Sequence, residues 1–261
     1  MKPGRVVFIG AGPGAADLIT VRGARHLAQA NVVLFDALTD PALRELAPHA
    51  KWVNVGKRGF CDSTGQATID ALLVRYASSH ATVVRLKGGD PSIFGRLEEE
   101  LQALAAAGIE CEIVPGVTAA IAAAAHTQRP LTRRGIGRSV SLTTAMTKHG
   151  ALLAGRHAGS AAVSSADTEV FYMAGRQLGA LGRTLCQAGW PANTPVCVVS
   201  RAGWPDALAS NHTLTALGSA AVLHAGRPTV VTVGAGAAEV PRALPHGTAQ
   251  PANATSPALA P

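Results

Sequence analysis

Apolar residues along this chain cluster in two ways. Short β-branched runs alternate with stretches in which apolar positions recur every three or four residues. Residues 5–10 (RVVFIG), 31–36 (NVVLFD), 52–55 (WVNV), 82–86 (TVVRL) and 110–114 (ECEIV) are of the first kind. Each is a brief, nearly continuous apolar run bounded by turn residues, the pattern of a strand covered on both faces. Residues 16–29, 66–78 and 96–106 carry helical spacing between these runs. Strand and helix in alternation predict a largely parallel sheet with helices on either side.

After Pro115 and Gly116 the pattern changes. Residues 117–127 form an alanine-rich helical stretch, 139–144, 169–173, 196–200 and 229–233 are further strand candidates, and 177–188 reads as a helix between two of them. The expectation is an α/β protein of two domains, 1–116 and 117–240, each a mainly parallel or mixed sheet with flanking helices. No internal repeat relates the halves. Residues 150–167 are small, polar and glycine-rich, the composition of a surface loop. The tail 241–261 is rich in Pro, Ala and Thr and carries too little bulky apolar surface to offset its ordering entropy, so it is expected to be disordered.

Composition narrows the chemistry. The 261 residues carry a formal net charge of +7 at pH 7, which favours an anionic partner by concentrating anions near the surface. The basic residues lie singly or in pairs such as Lys57-Arg58 and Arg133-Arg134, without the long basic run or aromatic interleaving of a nucleic-acid platform. A polyanionic small molecule is the expected partner. Cys61, Cys111, Cys186 and Cys197 form no CxxC pair and the histidines no HExxH, so no metal site is expected and the cysteines read as reduced thiols. Glycine and proline interrupt the apolar start before a signal core forms, and no apolar run approaches the roughly 20 residues that span a bilayer. A cytoplasmic protein without a membrane segment is expected.

The glycine loop Gly10-Ala11-Gly12-Pro13-Gly14-Ala15 formally satisfies GxGxxG/A, and Asp36 stands at the end of the second strand. That is the dinucleotide fingerprint, whose acidic residue lies about 20 positions further on. Against it, Pro13 and Gly14 lengthen the turn, and the helix starts near Ala16-Asp17. The plain alternative is a turn that joins strand to helix. Asp36 by itself is equally a turn former or helix cap. Residues 85–95 (RLKGGDPSIFG) run a strand into two glycines, where backbone can approach a ligand and a carboxylate can bind hydroxyls. VPGVTA at 114–119 places Thr118 at a helix N-cap, and PLTRRGIGRS at 130–139 offers three forked guanidinium groups suited to carboxylates. Of Glu98, Glu99 and Glu100, two are expected on an exposed acidic face.

Taken in order, VVFIGAGPGAADLITVRGARHL, VVLFDAL, VGKRG, VVRLKGGDPSIFGR, VPGVTAA, PLTRRGIGRS and VFYMAG resemble the tetrapyrrole methylases, and within them the branch acting on uroporphyrinogen III; the likeness covers about residues 5–234. The resemblance implies a two-domain tetrapyrrole methylase fold, commonly a homodimer, with S-adenosylmethionine held in the interdomain cleft and leaving as S-adenosylhomocysteine. Pro13, Gly88, Gly89, Asp90, Ile93, Thr118, Ala119 and Met173, with Ala202 as a looser match, are the cofactor residues it implies. Asp36 is the implied general base, Lys57 the acid, and Arg96, Glu99 and Arg134 the substrate contacts.

The implied reaction is methylation of a substrate with eight carboxylates at carbons 2 and 7, giving precorrin-2. Such a transfer needs nucleophile, methyl and leaving sulfur in line, and then a carboxylate to take up a ring proton. The motifs also depart from the family: Leu97-Glu98-Glu99-Glu100 replaces Gly-Gly-Glu-Glu, Phe35 a frequent tyrosine, and Thr143-Thr144-Ala145-Met146 a usual Thr-Gly-His. With no dehydrogenase-ferrochelatase motif in these residues, the resemblance is to the stand-alone methylase rather than the fused sirohaem synthase, and a stand-alone enzyme is expected. Related methylases act on later corrin precursors or ribosomal RNA, and a non-methylase dinucleotide-binding domain is the remaining alternative.

Overall fold

The computed structural model describes residues 3–56, 65–145 and 166–241. Lys57, Met146, most of the 150–167 segment and nearly all of the 241–261 tail therefore lie outside the described residues. The chain builds two five-stranded sheets.

The first contains β1 (Arg5–Gly10), β2 (Val32–Phe35), β3 (Lys51–Asn54), β4 (Thr82–Lys87) and β5 (Cys111–Val114) in the order β3-β2-β4-β1-β5. Every pairing is parallel. Alternation along the strands divides their side chains between two cores. Val6, Phe8, Leu34 and Val83 meet Leu73 of α2 (Gln66–Ala77) and Leu104 of α3 (Leu97–Ala106), whereas Val7, Ile9, Val33 and Val84 meet Leu27 of α1 (Val21–Leu27) and Leu43. Both faces are covered, as the apolar runs predict.

The helix expected over 16–29 is broken. Ala16–Leu18 makes a single 3-10 turn, Ile19 and Thr20 return to extended backbone, and the Thr20 hydroxyl accepts the Gly23 N–H at 3.0 Å to start α1 at Val21. Two β-region residues in succession end the first turn, and threonine is a better cap than an interior helical residue.

The second sheet has order β6-β7-β10-β8-β9, from β6 (Val140–Thr144), β7 (Thr168–Tyr172), β8 (Pro195–Ser200), β9 (Leu208–Thr213) and β10 (Thr229–Gly234). Only β6 and β7 are parallel; the remaining pairs are antiparallel. Strand β9 (LASNHT) was not among the expected strands, because an exposed edge strand of polar residues leaves no apolar alternation. One face receives α4 (Ala119–Thr127), whose Ala120, Ala122 and Ala123 approach Val170, Val199 and Val230 closely for want of bulk. The other receives α5 (Leu178–Gln187), which packs Leu178, Leu181 and Leu185 on Val196, Val198 and Val231. The short α6 (Ala220–Leu223) precedes β10. Cys111, Cys186 and Cys197 are free thiols, and among the described residues no helix is long and apolar enough to cross a membrane.

A candidate active site between the two sheets

The glycine loop after β1 is a crossing of backbones. A Cβ at Gly10 would sit 2.5 Å from the Gly116 Cα and 2.7 Å from the Gly89 carbonyl oxygen. Gly12 and Gly89 exchange backbone hydrogen bonds, the Gly89 N–H donating at 2.7 Å. On its far side the loop touches the second half of the chain: the Ala15 N–H donates to the Gly203 carbonyl at 2.8 Å, and a Cβ at Gly14 would lie 2.3 Å from that same carbonyl. The N-terminus of α1 lies beyond a separate turn and is capped by Thr20, so the loop does not aim a helix start at a pyrophosphate in the way a dinucleotide site requires.

Above this crossing lies an open space of about 910 Å³. Pro13 from the glycine loop, and Gly88, Gly89, Asp90 and Ile93 from the β4 loop, line one side. Thr118 and Ala119 at the head of α4, Met173 after β7 and Ala202 after β8 line the other. Nine positions scattered over 190 residues of sequence thus border one pocket at the carboxyl ends of the strands, where α/β sheets bind ligands. Leu38, Phe94, Tyr172, Arg201 and Trp204 also border it and were missed by the sequence reading.

The rim is held in costly backbone conformations. Among the described residues, Phe94, Arg96, Gln128, Met173 and Arg201 are the non-glycine residues with positive φ. Gln128 simply ends α4, but Phe94, Met173 and Arg201 border the pocket and Arg96 is two residues away. Such strain costs about 1–3 kcal/mol per residue and persists where surrounding structure over-determines it, commonly at binding sites. Phe94 and Tyr172 meet across the pocket with ring centroids 5.0 Å apart. Thr118 stands at the N-cap of α4 as expected, yet its hydroxyl makes no capping bond; it lies 2.7 Å from the Tyr172 hydroxyl instead. Burial pushes the Tyr172 phenol above its ordinary range, so it keeps its proton. Asp90 is a fastener: Oδ1 accepts the Ser92 N–H and Oδ2 the Gly116 N–H, both at 2.8 Å, tying the β4 loop to the β5 loop. A ligand hydroxyl at Asp90 has to share oxygens already in use.

Asp36 follows β2, its N–H bonded to the Leu86 carbonyl of β4. Its Oδ1 accepts from Arg85 Nη2 at 2.7 Å, and its side chain is 29% exposed. Arg85 is in turn bound to Glu100 of α3, which also binds Lys87. Of the three consecutive glutamates, Glu98 and Glu99 are the two exposed ones, and Glu100 is fully buried, turned by α3 toward the sheet. The signal available in the sequence was the RLK of a central strand, whose two buried cations need a carboxylate.

Arg96 and Glu99 bind one another at the head of α3, with Nε to Oε1 at 2.9 Å and Nη2 to Oε2 at 2.5 Å, so a substrate carboxylate at Arg96 has to compete for that fork. Of the three arginines in the 130–139 loop, Arg133 is structural, donating to the Ala235, Ala238 and Glu239 carbonyls. Arg134 is exposed and makes no hydrogen bond or ion pair among the described residues. Lys57 lies outside the described residues.

The fold and pocket define a class, an enzyme of two α/β units with a small-molecule site between their strand ends. The family model for Tetrapyrrole (Corrin/Porphyrin) Methylases matches residues 5–218. A uroporphyrinogen-III C-methyltransferase of Pseudomonas aeruginosa is 44% identical over 199 residues, 76% of this chain and 80% of that protein. A siroheme synthase of Psychrobacter sp. is 41% identical over 204 residues, 77% of this chain but 41% of that longer protein. The crystal structure of uroporphyrin-III C-methyl transferase from Thermus thermophilus complexed with S-adenyl homocysteine superposes with a TM-score of 0.75 at 33% identity, covering 88% of this chain and 97% of the other. The chain belongs to the tetrapyrrole methylases.

Proposed function

We propose that this chain is an S-adenosylmethionine-dependent C-methyltransferase that converts uroporphyrinogen III to precorrin-2 by methylation at carbons 2 and 7. The observation that carries this reading is the pocket that Pro13, Gly88, Gly89, Asp90, Ile93, Thr118, Ala119, Met173 and Ala202 border together. Its features suit the cofactor. Gly88 and Gly89 present backbone without side chains, and Met173 and Ile93 supply apolar wall. S-adenosylmethionine supplies an electrophilic methyl group and leaves as S-adenosylhomocysteine.

The chain's own part is to orient and to move a proton. Rim residues in over-determined conformations fix the approach of the ring carbon, and positioning of this kind removes much of the barrier to a two-reactant step. Asp36 is the base that takes the proton from the methylated ring, through Oδ2, which has no hydrogen-bond partner among the described residues. Lys57 is the corresponding acid in this reading. Arg96 and Arg134 hold carboxylates of the substrate, and Glu99 sets the Arg96 fork. The chain divides between Gly116 and Val117, consistent with α4 packing on the second sheet. It works in the cytoplasm as a homodimer.

Incubation with uroporphyrinogen III and labelled S-adenosylmethionine, followed by mass analysis, tests the reading. One and then two added methyl groups are expected. Absence of transfer to uroporphyrinogen III, with transfer to a later corrin precursor, would overturn the substrate assignment while leaving the family intact.

A further inference from the structure

Strand β4 is the middle strand of the first sheet, yet it carries two cations, Arg85 and Lys87, whose side chains are each only 4% exposed. Charges in such a place carry a heavy desolvation cost, and apolar residues of similar size commonly give equal or better stability. Burial holds Lys87 below its ordinary range, with Arg85 beside it pressing the same way. Stability alone therefore gives no reason for the charges.

The geometry supplies one. Glu100 is fully buried, with Oε1 on Arg85 Nε at 2.8 Å and Oε2 on Lys87 Nζ at 2.5 Å, so both its oxygens are fixed. Arg85 Nη1 donates to the Leu86 carbonyl at 3.2 Å and to the Leu34 carbonyl at 3.5 Å, and its remaining arm, Nη2, reaches Asp36 Oδ1 at 2.7 Å. Every edge of the guanidinium is committed. A planar fork held on three sides fixes its fourth contact in direction as well as distance, which an ammonium cannot do. Two cations and two carboxylates balance, and of the four side chains Asp36 alone is substantially exposed.

We propose that Arg85 is a positioning residue for methyl transfer: clamped by Glu100, it holds one oxygen of Asp36 and leaves the other free to receive the ring proton. This rests on the reading of Asp36 as the base. In Arg85→Met the Lys87–Glu100 pair stays neutral and Asp36 keeps its access to water, so the fold is expected to survive. The variant is expected to lose about 10- to 100-fold in kcat, the scale of a displaced catalytic group. The Kd for S-adenosylmethionine should stay within about twofold, since no residue of the cluster borders the cofactor pocket. Arg85→Lys, which keeps the charge without the fork, should lose kcat similarly.

The decisive arm is the double variant. Arg85→Met in an Asp36→Asn background is expected to cost nothing beyond Asp36→Asn, because residues acting as a unit are non-additive. Unchanged kcat in both single Arg85 variants, with Asp36→Asn inactive, overturns the proposal alone. Full activity of Asp36→Asn overturns the reading of the base, and the proposal with it. Additive losses in the double variant make Arg85 a structural residue only. If Arg85→Met fails to fold, Arg85→Lys in the two backgrounds decides by the same criteria.

Discussion

The Ala15 N–H and the Gly203 carbonyl oxygen, 2.8 Å apart, join the glycine loop of the first half to the β8 loop of the second. Gly14 stands against the same carbonyl, where a Cβ would lie 2.3 Å away. Because Arg201, Ala202 and Trp204 border the pocket from this loop, spacing at the contact sets the width of the site. Gly14→Ala is expected to destabilise the protein by about 1–3 kcal/mol, as overpacking does. It should also weaken S-adenosylmethionine binding. Thermal melts and calorimetric titration measure the two effects, and a variant with wild-type Tm and Kd would mean that the loops part without consequence.

Arg134 is a different kind of site, an exposed cation without an intramolecular partner among the described residues. Arg134→Ala should raise the KM for the tetrapyrrole about tenfold, the scale of one lost hydrogen bond to a charged group. The cofactor Kd should be unaffected. Steady-state kinetics at two salt concentrations check this: the wild-type KM should rise with salt more steeply than that of the variant. Equal KM values at both would remove Arg134 from the substrate contacts.

Glu100→Ala leaves Arg85 and Lys87 as neighbouring buried cations with Asp36 as their sole counter-charge. Removal of one member of such a set costs about 3–5 kcal/mol. Denaturant unfolding should show the midpoint falling accordingly. A loss below about 1 kcal/mol would indicate that water or a rearranged Asp36 replaces the carboxylate.

His224 gives a pH signature. It is fully buried, with Nδ1 on Ser200 Oγ at 2.9 Å and Nε2 on Ser210 Oγ at 2.8 Å. Burial, then His212 and Arg227 nearby, hold its imidazole below the ordinary value. The unfolded chain therefore takes up this proton first as pH falls through about 6.5, and stability present above that pH is lost toward the lowered folded value. Tm measured from pH 7.5 to 5.0 should fall more steeply for the wild type than for His224→Gln. Parallel curves would exclude His224 as the source.

Much of the first sheet was legible because parallel strands buried on both faces write themselves as apolar runs. Strand β9 was not, since the polar residues of an edge obey no such pattern. The pocket residues were legible through the ordered motifs rather than through any one glycine loop, which by itself pointed equally to a dinucleotide. Arg201, Trp204 and Tyr172 stayed hidden because what brings them to the pocket is the meeting of the two halves. Which of the three consecutive glutamates is the inward one was not legible, for a local reason: they look alike until the rotation of α3 turns Glu100 inward.

That rotation also bears on how the chain folds. A central strand of Val and Leu alone would be content inside any apolar layer. With Arg85 and Lys87 in β4, a sheet lacking α3 has Asp36 alone to balance two buried cations, and the second carboxylate, Glu100, arrives with α3. The ion set thus ties α3 to the sheet by charge as well as by side-chain packing: a helix docked a turn out of place would leave a buried cation without its carboxylate.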